Sequence, residues 1–133
     1  MKKDFFKYQA QTSPHPLAIE VSKAAGSYIY DTSGKRYLDF VAGVSANSLG
    51  HNHPKITAAI KHQLDAYSHV MVYGEFIQKP QVELCKLIVE NSPENLNSVY
   101  ITNSGTEATE GALKLAKRVT KRSEIIAAKN SYH

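Results

Sequence analysis

The sequence predicts an α/β protein. A short antiparallel β-meander precedes the start of a mainly parallel sheet with flanking helices, and that sheet is left incomplete within the 133 residues. Two observations carry this expectation. Ser27–Asp31 (SYIYD) and Arg36–Val41 (RYLDFV) are short aromatic and β-branched runs joined by Thr32, Ser33, Gly34 and Lys35. That is the pattern of a β-hairpin in which Gly34 is available for a positive φ. Farther along, the apolar run Val99–Thr102, a long helical pattern and a second run, Glu124–Ala128, follow one another as strand, helix and strand. This is the unit from which parallel sheets are built.

The elements between these landmarks follow from local chemistry. Gly43–Pro54 (GVSANSLGHNHP) reads as a loop, and Pro54 is placed to open a helix over Lys55–Tyr67, where Ile56, Ala59, Ile60, Leu64 and Tyr67 recur at helical spacing. Pro80 opens a second helix over Gln81–Asn91, with Val82, Cys85, Ile88 and Val89 as its apolar stripe, and Asn91-Ser92-Pro93 ends it. The third helix begins at Asn103-Ser104-Gly105-Thr106-Glu107, continues to about Arg122, and turns Ala108, Ala112, Leu115, Ala116 and Val119 inward. No repeat or Gly/Ser linker interrupts the chain. The expected division is an N-terminal meander segment over residues 1–53 and the beginning of a large domain over residues 54–133.

Composition narrows the class. Sixteen Lys and Arg against twelve Asp and Glu give a net charge of +4, a balance that permits nucleic-acid binding only if the positive charge forms one face. The densest basic group, Lys114, Lys117, Arg118, Lys121 and Arg122, instead follows Glu107 and Glu110 along one helix. Acid first and base last complements the helix dipole, so the group reads as a solvated face and no nucleic-acid partner is expected. The lone Cys85 excludes an internal disulfide, and no run approaches the roughly 20 apolar residues that span a bilayer. The start MKKDFFKYQAQTSP lacks an apolar stretch behind its basic residues, so a cytoplasmic protein without a signal peptide is expected.

The junction Ser104-Gly105-Thr106-Glu107 has two readings. In one it is a capping box, with Ser104 accepting from the Glu107 amide and Glu107 reaching back to the Ser104 amide. In the other it is a phosphate cradle, in which the helix start offers unpaired amides, Gly105 admits an anion close to the backbone, and the Ser104 and Thr106 hydroxyls add donors. The two compete for some of the same amides, and spacing alone leaves both open. His51 and His53 invite a metal reading, but no Cys, Asp or Glu stands at ligand spacing beside them, and no metal site is expected.

Ala25-Gly26-Ser27-Tyr28-Ile29-Tyr30-Asp31, Gly34-Lys35-Arg36-Tyr37-Leu38-Asp39-Phe40, Gly43, Leu49-Gly50-His51-Asn52-His53-Pro54 and Asn103-Ser104-Gly105-Thr106-Glu107-Ala108 stand in an order and spacing that resemble the class III aminotransferases. These are pyridoxal 5'-phosphate enzymes of fold type I, and they include the acetylornithine and 4-aminobutyrate aminotransferases. The resemblance runs from about Thr12 to His133. It implies that residues 54–133 begin a fold type I cofactor-binding domain, that Gly105 and Thr106 with Ser104 hold the cofactor phosphate, and that Tyr132 stacks on the pyridine ring. His133 would then match the histidine that follows this aromatic residue in the family. It implies further a homodimer with its active site at the interface, the Tyr73–Gln78 segment lying near that interface. The substrates would be an amino acid or ω-amine and a 2-oxo acid. The lysine that carries the cofactor, its acidic partner and the substrate-binding arginine fall beyond His133 in the family, so no catalytic residue is assigned, and Lys114, Lys117, Lys121 and Lys129 match none of them. The chain is therefore expected to be an inactive N-terminal part of an aminotransferase. The alternatives are a naturally short phosphate-binding or interaction module without catalysis, and a same-fold aminomutase or decarboxylase.

Overall fold

The computed structural model describes residues 1–71 and 74–132, so Tyr73 and His133, both singled out above, lie outside the described residues. The chain divides into two units, Met1–Val70 and Met71–His133.

The first unit holds α1 (Lys2–Tyr8), β1 (Val21–Ala25), β2 (Tyr28–Asp31), β3 (Arg36–Leu38) and α2 (Pro54–Ala66). The three strands form one antiparallel sheet in the order β1-β2-β3. Between β2 and β3 Tyr28 faces Leu38, Ile29 faces Tyr37 and Tyr30 faces Arg36, which is the expected hairpin. Gly34 turns it at φ 86°. The turn is organised by one carboxylate. Asp31 Oδ1 accepts from the Ser33 and Lys35 amides, each at 2.9 Å, and from the Ser33 hydroxyl at 2.6 Å, while Tyr37 donates its hydroxyl to Oδ2 at 2.8 Å. The Ser33 hydroxyl first, and the Tyr37 hydroxyl next, hold the Asp31 carboxyl down at about 2. The β1–β2 register slips between Val21 and Lys23, and Ser22 ties off this bulge by donating to the carbonyls of Tyr30 and Asp31. The hairpin patterning announces β2 and β3 but gives no separate signal for β1 or for the short helix α1.

The loop after β3 turns back onto the sheet. His51 and Gly26 exchange backbone hydrogen bonds of 2.7 and 3.0 Å, an isolated antiparallel bridge. Gly50, at φ 84°, lies so close to this crossing that a β-carbon there would stand 3.0 Å from the Gly26 carbonyl oxygen. Pro54 occupies the first turn of α2, as its fixed φ favours.

The second unit holds α3 (Lys79–Glu90) and α4 (Gly105–Thr120). Pro80 lies in the first turn of α3, which starts two residues earlier than the sequence predicts. α4 likewise starts at Gly105, with Glu107 in its first turn and Lys117 and Arg118 in its last, the charge order expected from the dipole. Neither Val99–Thr102 nor Glu124–Ala128 forms a strand. Tyr100 is 87% and Ile126 99% exposed, where a buried strand was expected. The correction has a physical cause: a strand of the parallel kind exists only through ladders to neighbours, and the unit supplies none among the described residues. None of the described residues is buried. The apolar stripes of α2 (Ile56, Ile60, Leu64) and α4 (Leu115, Val119) are exposed, while in the predicted stripe of α3 Val82 and Ile88 are exposed and Cys85 and Val89 half-buried.

Candidate functional site

The start of α4 is a side-chain cap at Ser104–Glu107 that leaves other amides open. Ser104 is the N-cap, in extended conformation, and its Oγ accepts from the Glu107 amide at 3.2 Å. The Glu107 carboxylate reaches past Ser104 and accepts from the Asn103 amide at 2.7 Å. This shift by one residue matters, because the cap consumes the amides of Glu107 and Asn103. The Ala108 amide donates to the Ser104 carbonyl at 3.1 Å, closing the first helical turn. Among the described residues the amides of Gly105 and Thr106 donate to nothing. The Ser104 hydroxyl accepts one hydrogen bond and keeps its own proton to give, and the Thr106 hydroxyl has no partner.

Space matches this inventory. A β-carbon built on Gly105 meets no atom within 4 Å, so the approach to the two open amides is clear. Thr102 donates its hydroxyl to the Ser104 carbonyl at 3.1 Å, bracing the residue that leads into the helix. Two open amides and two hydroxyls thus lie at the N-terminal end of a 16-residue helix, where the dipole is positive.

Of the four residues the sequence singles out, Ser104 is the N-cap of α4 and Gly105 and Thr106 open its first turn. Tyr132 is not brought against them. It follows the turn in which Ser131 bonds the Ala128 carbonyl, and its side chain is 99% exposed.

The histidines form a different constellation. His51 Nε2 lies 2.8 Å from Asp39 Oδ2, with the aspartate side chain 9% exposed and the imidazole 24%. Asp39 Oδ1 also accepts from the amides of Val41 (3.0 Å) and Ala42 (2.9 Å). The Ala42 amide first, and the His51 ring next, hold the Asp39 carboxyl below its ordinary range. No group of three or more metal-ligating side chains occurs among the described residues. The Asp39–His51 pair is a contact that sequence spacing does not announce.

With this geometry in hand, comparison with known proteins is decisive. The family described as "Aminotransferase class-III" matches residues 8–133. The chain belongs to this family. It is 45% identical, over 86% of its length, to an acetylornithine aminotransferase of Methanothermobacter thermautotrophicus, of which it covers 28%. Among solved structures it resembles the taurine:2-oxoglutarate aminotransferase of Bifidobacterium kashiwanohense, determined in complex with PLP and glutamate. There the TM-score is 0.81 and the identity 30%, covering 91% of this chain and 27% of that one. It also resembles the acetylornithine aminotransferase of Elizabethkingia anophelis, with TM-score 0.74, identity 31%, and coverage of 87% and 29%. The chain thus spans about three-tenths of the length of these class III relatives, and its backbone follows their path over nearly all of its own.

Proposed function

We propose that the chain is the N-terminal part of a pyridoxal-5'-phosphate-dependent class III aminotransferase, which transfers an amino group from an amino acid or ω-amine to a 2-oxo acid. The observation that carries this reading is the pair of open amides at Gly105 and Thr106 beneath an unobstructed approach, in a chain of aminotransferase fold. Ser104, Gly105 and Thr106 would hold the cofactor phosphate, and Tyr132 would supply the aromatic face against the pyridine ring. When bound, the cofactor supplies the electron sink for amino-group transfer. The residues present here bind and orient its phosphate. None of Lys114, Lys117, Lys121 and Lys129 is assigned a catalytic role. In this proposal residues 1–53 are the N-terminal segment and residues 54–133 begin the cofactor-binding domain. The working unit is a cytoplasmic homodimer.

The test is the dissociation constant for pyridoxal phosphate, set beside the melting temperature without cofactor, in the polypeptide as expressed from its own reading frame. Thr106→Ala removes a hydroxyl donor to a charged group, worth about 1.5–3 kcal/mol, or roughly ten- to a hundred-fold in affinity. Gly105→Val is expected to cost more, because a branched side chain fills the open approach. Unchanged affinity in both variants, with only the melting temperature lowered, would leave a helix cap and refute the cradle.

A further inference from the structure

Asp39, Asn47 and His51 form a hydrogen-bonded network whose geometry constrains the protons it carries. Oriented so that its nitrogen donates to the Gly50 carbonyl at 2.9 Å, the Asn47 amide turns its oxygen to His51 Nδ1 at 2.9 Å and to the His51 backbone amide at 3.3 Å. The opposite orientation would set two carbonyl oxygens 2.9 Å apart. Nδ1 therefore faces an acceptor. Nε2 faces another, the Asp39 carboxylate, which is ionised because its other oxygen takes two backbone amides. A neutral imidazole has one N–H and cannot serve two acceptors, whereas an imidazolium serves both.

We propose that His51 is a proton-dependent latch: carrying both ring protons it ties Asp39 to Asn47, and losing one of them releases the loop between β3 and α2. Whichever nitrogen loses its proton, a lone pair is left facing an oxygen. If Nδ1 is stripped, the Asn47 amide must turn and oppose the Gly50 carbonyl. If Nε2 is stripped, the carboxylate of Asp39 loses its donor. The loop has reason to relax, because Ala42, Val44 and Ser45 sit at φ 48°, 57° and 67°. Non-glycine residues hold such angles only when the surroundings over-determine them. The groups that face the ring are Asp39 from the segment after β3, Asn47 from the loop itself and the Gly26 backbone from the β1–β2 turn. Among the described residues Asp39 is the one charged group bonded to it. The sign is definite: the latch is closed on the acidic side and opens as the pH rises.

Nitrogen-15 NMR of the histidine rings, on the polypeptide expressed from its own reading frame, reads the proton count directly. On the acidic side, with the latch closed, both ring nitrogens of His51 are expected to be protonated, and the Val41, Ala42 and His51 amides are expected to shift with the ring as base is added. Asp39→Asn keeps an oxygen for the Val41 and Ala42 amides but removes the charge, and should let the ring give up its second proton at a lower pH than in the wild type. A ring that loses its second proton at the same pH in wild type and Asp39→Asn would overturn the proposal, as would loop amides that ignore the loss of that proton.

Discussion

At the scale of single residues, short polar side chains fix the turns, and Asp31 shows how much one of them does. Its carboxylate gathers two amides and two hydroxyls into the β2–β3 turn, and those donors favour the charged form. Its folded value of about 2 lies below the ordinary carboxylate range, so its contribution is fully present above that range. It is lost as the pH falls through about 2. We therefore expect the Ser33 and Lys35 amide resonances to move together in that acidic window, and Asp31→Asn to abolish the movement. Resonances that shift only around the ordinary carboxylate value would contradict it. Gly34 was legible in the sequence because a tight turn between two strand-like runs needs its conformational freedom. The contact of Asp39 with His51 was not, because it depends on a loop path that no local pattern encodes. Read by spacing alone, His51 and His53 look like ligand candidates without partners, whereas the partner of His51 arrives from the end of β3.

Helices and strands divide at the next scale according to where their hydrogen bonds lie. A helix closes its bonds within itself, so apolar spacing and the prolines at its start locate it, and α2, α3 and α4 fall within two residues of the positions their sequences predict. A strand borrows its bonds from elsewhere. Val99–Thr102 and Glu124–Ala128 carry the composition of strands, yet without ladders they are irregular. The same distinction bears on the candidate site, which was legible because it belongs to a helix start. The cap and the cradle were expected to compete for amides, and the cap as formed takes those of Glu107 and Asn103. Ser104→Ala should cost α4 about 1 kcal/mol, the usual value of a lost N-cap. Glu107→Ala should cost roughly 0.3–1 kcal/mol through the dipole. Amide exchange at Glu107 and Asn103 respectively measures the two losses. Slower or unchanged exchange at those amides would show that the cap contributes nothing.

For the molecule as a whole, the open apolar stripes of three helices and the exposure of Phe40 (90%), Ile77 (94%) and Ile126 (99%) are the dominant fact. Apolar surface exposed to this extent drives association, since removing it from water is the main favourable contribution available to the chain. The 133-residue chain by itself is expected to sediment as a concentration-dependent distribution of species and to melt without a sharp transition. A monodisperse monomer with a cooperative melt would contradict this.

The Gly26–His51 bridge also imposes an order of events on folding. Its two partners enclose the entire β2–β3 hairpin, so the entropy of closing that loop falls sharply once the hairpin has already shortened the path between them. Hairpins form in microseconds from neighbouring residues, whereas the bridge joins residues distant in sequence. Assembly of this unit is therefore expected to proceed from the Asp31 turn outward. The bridge, with Gly50 set close against Gly26, is expected to close after the hairpin and to exchange its amides before the hairpin does.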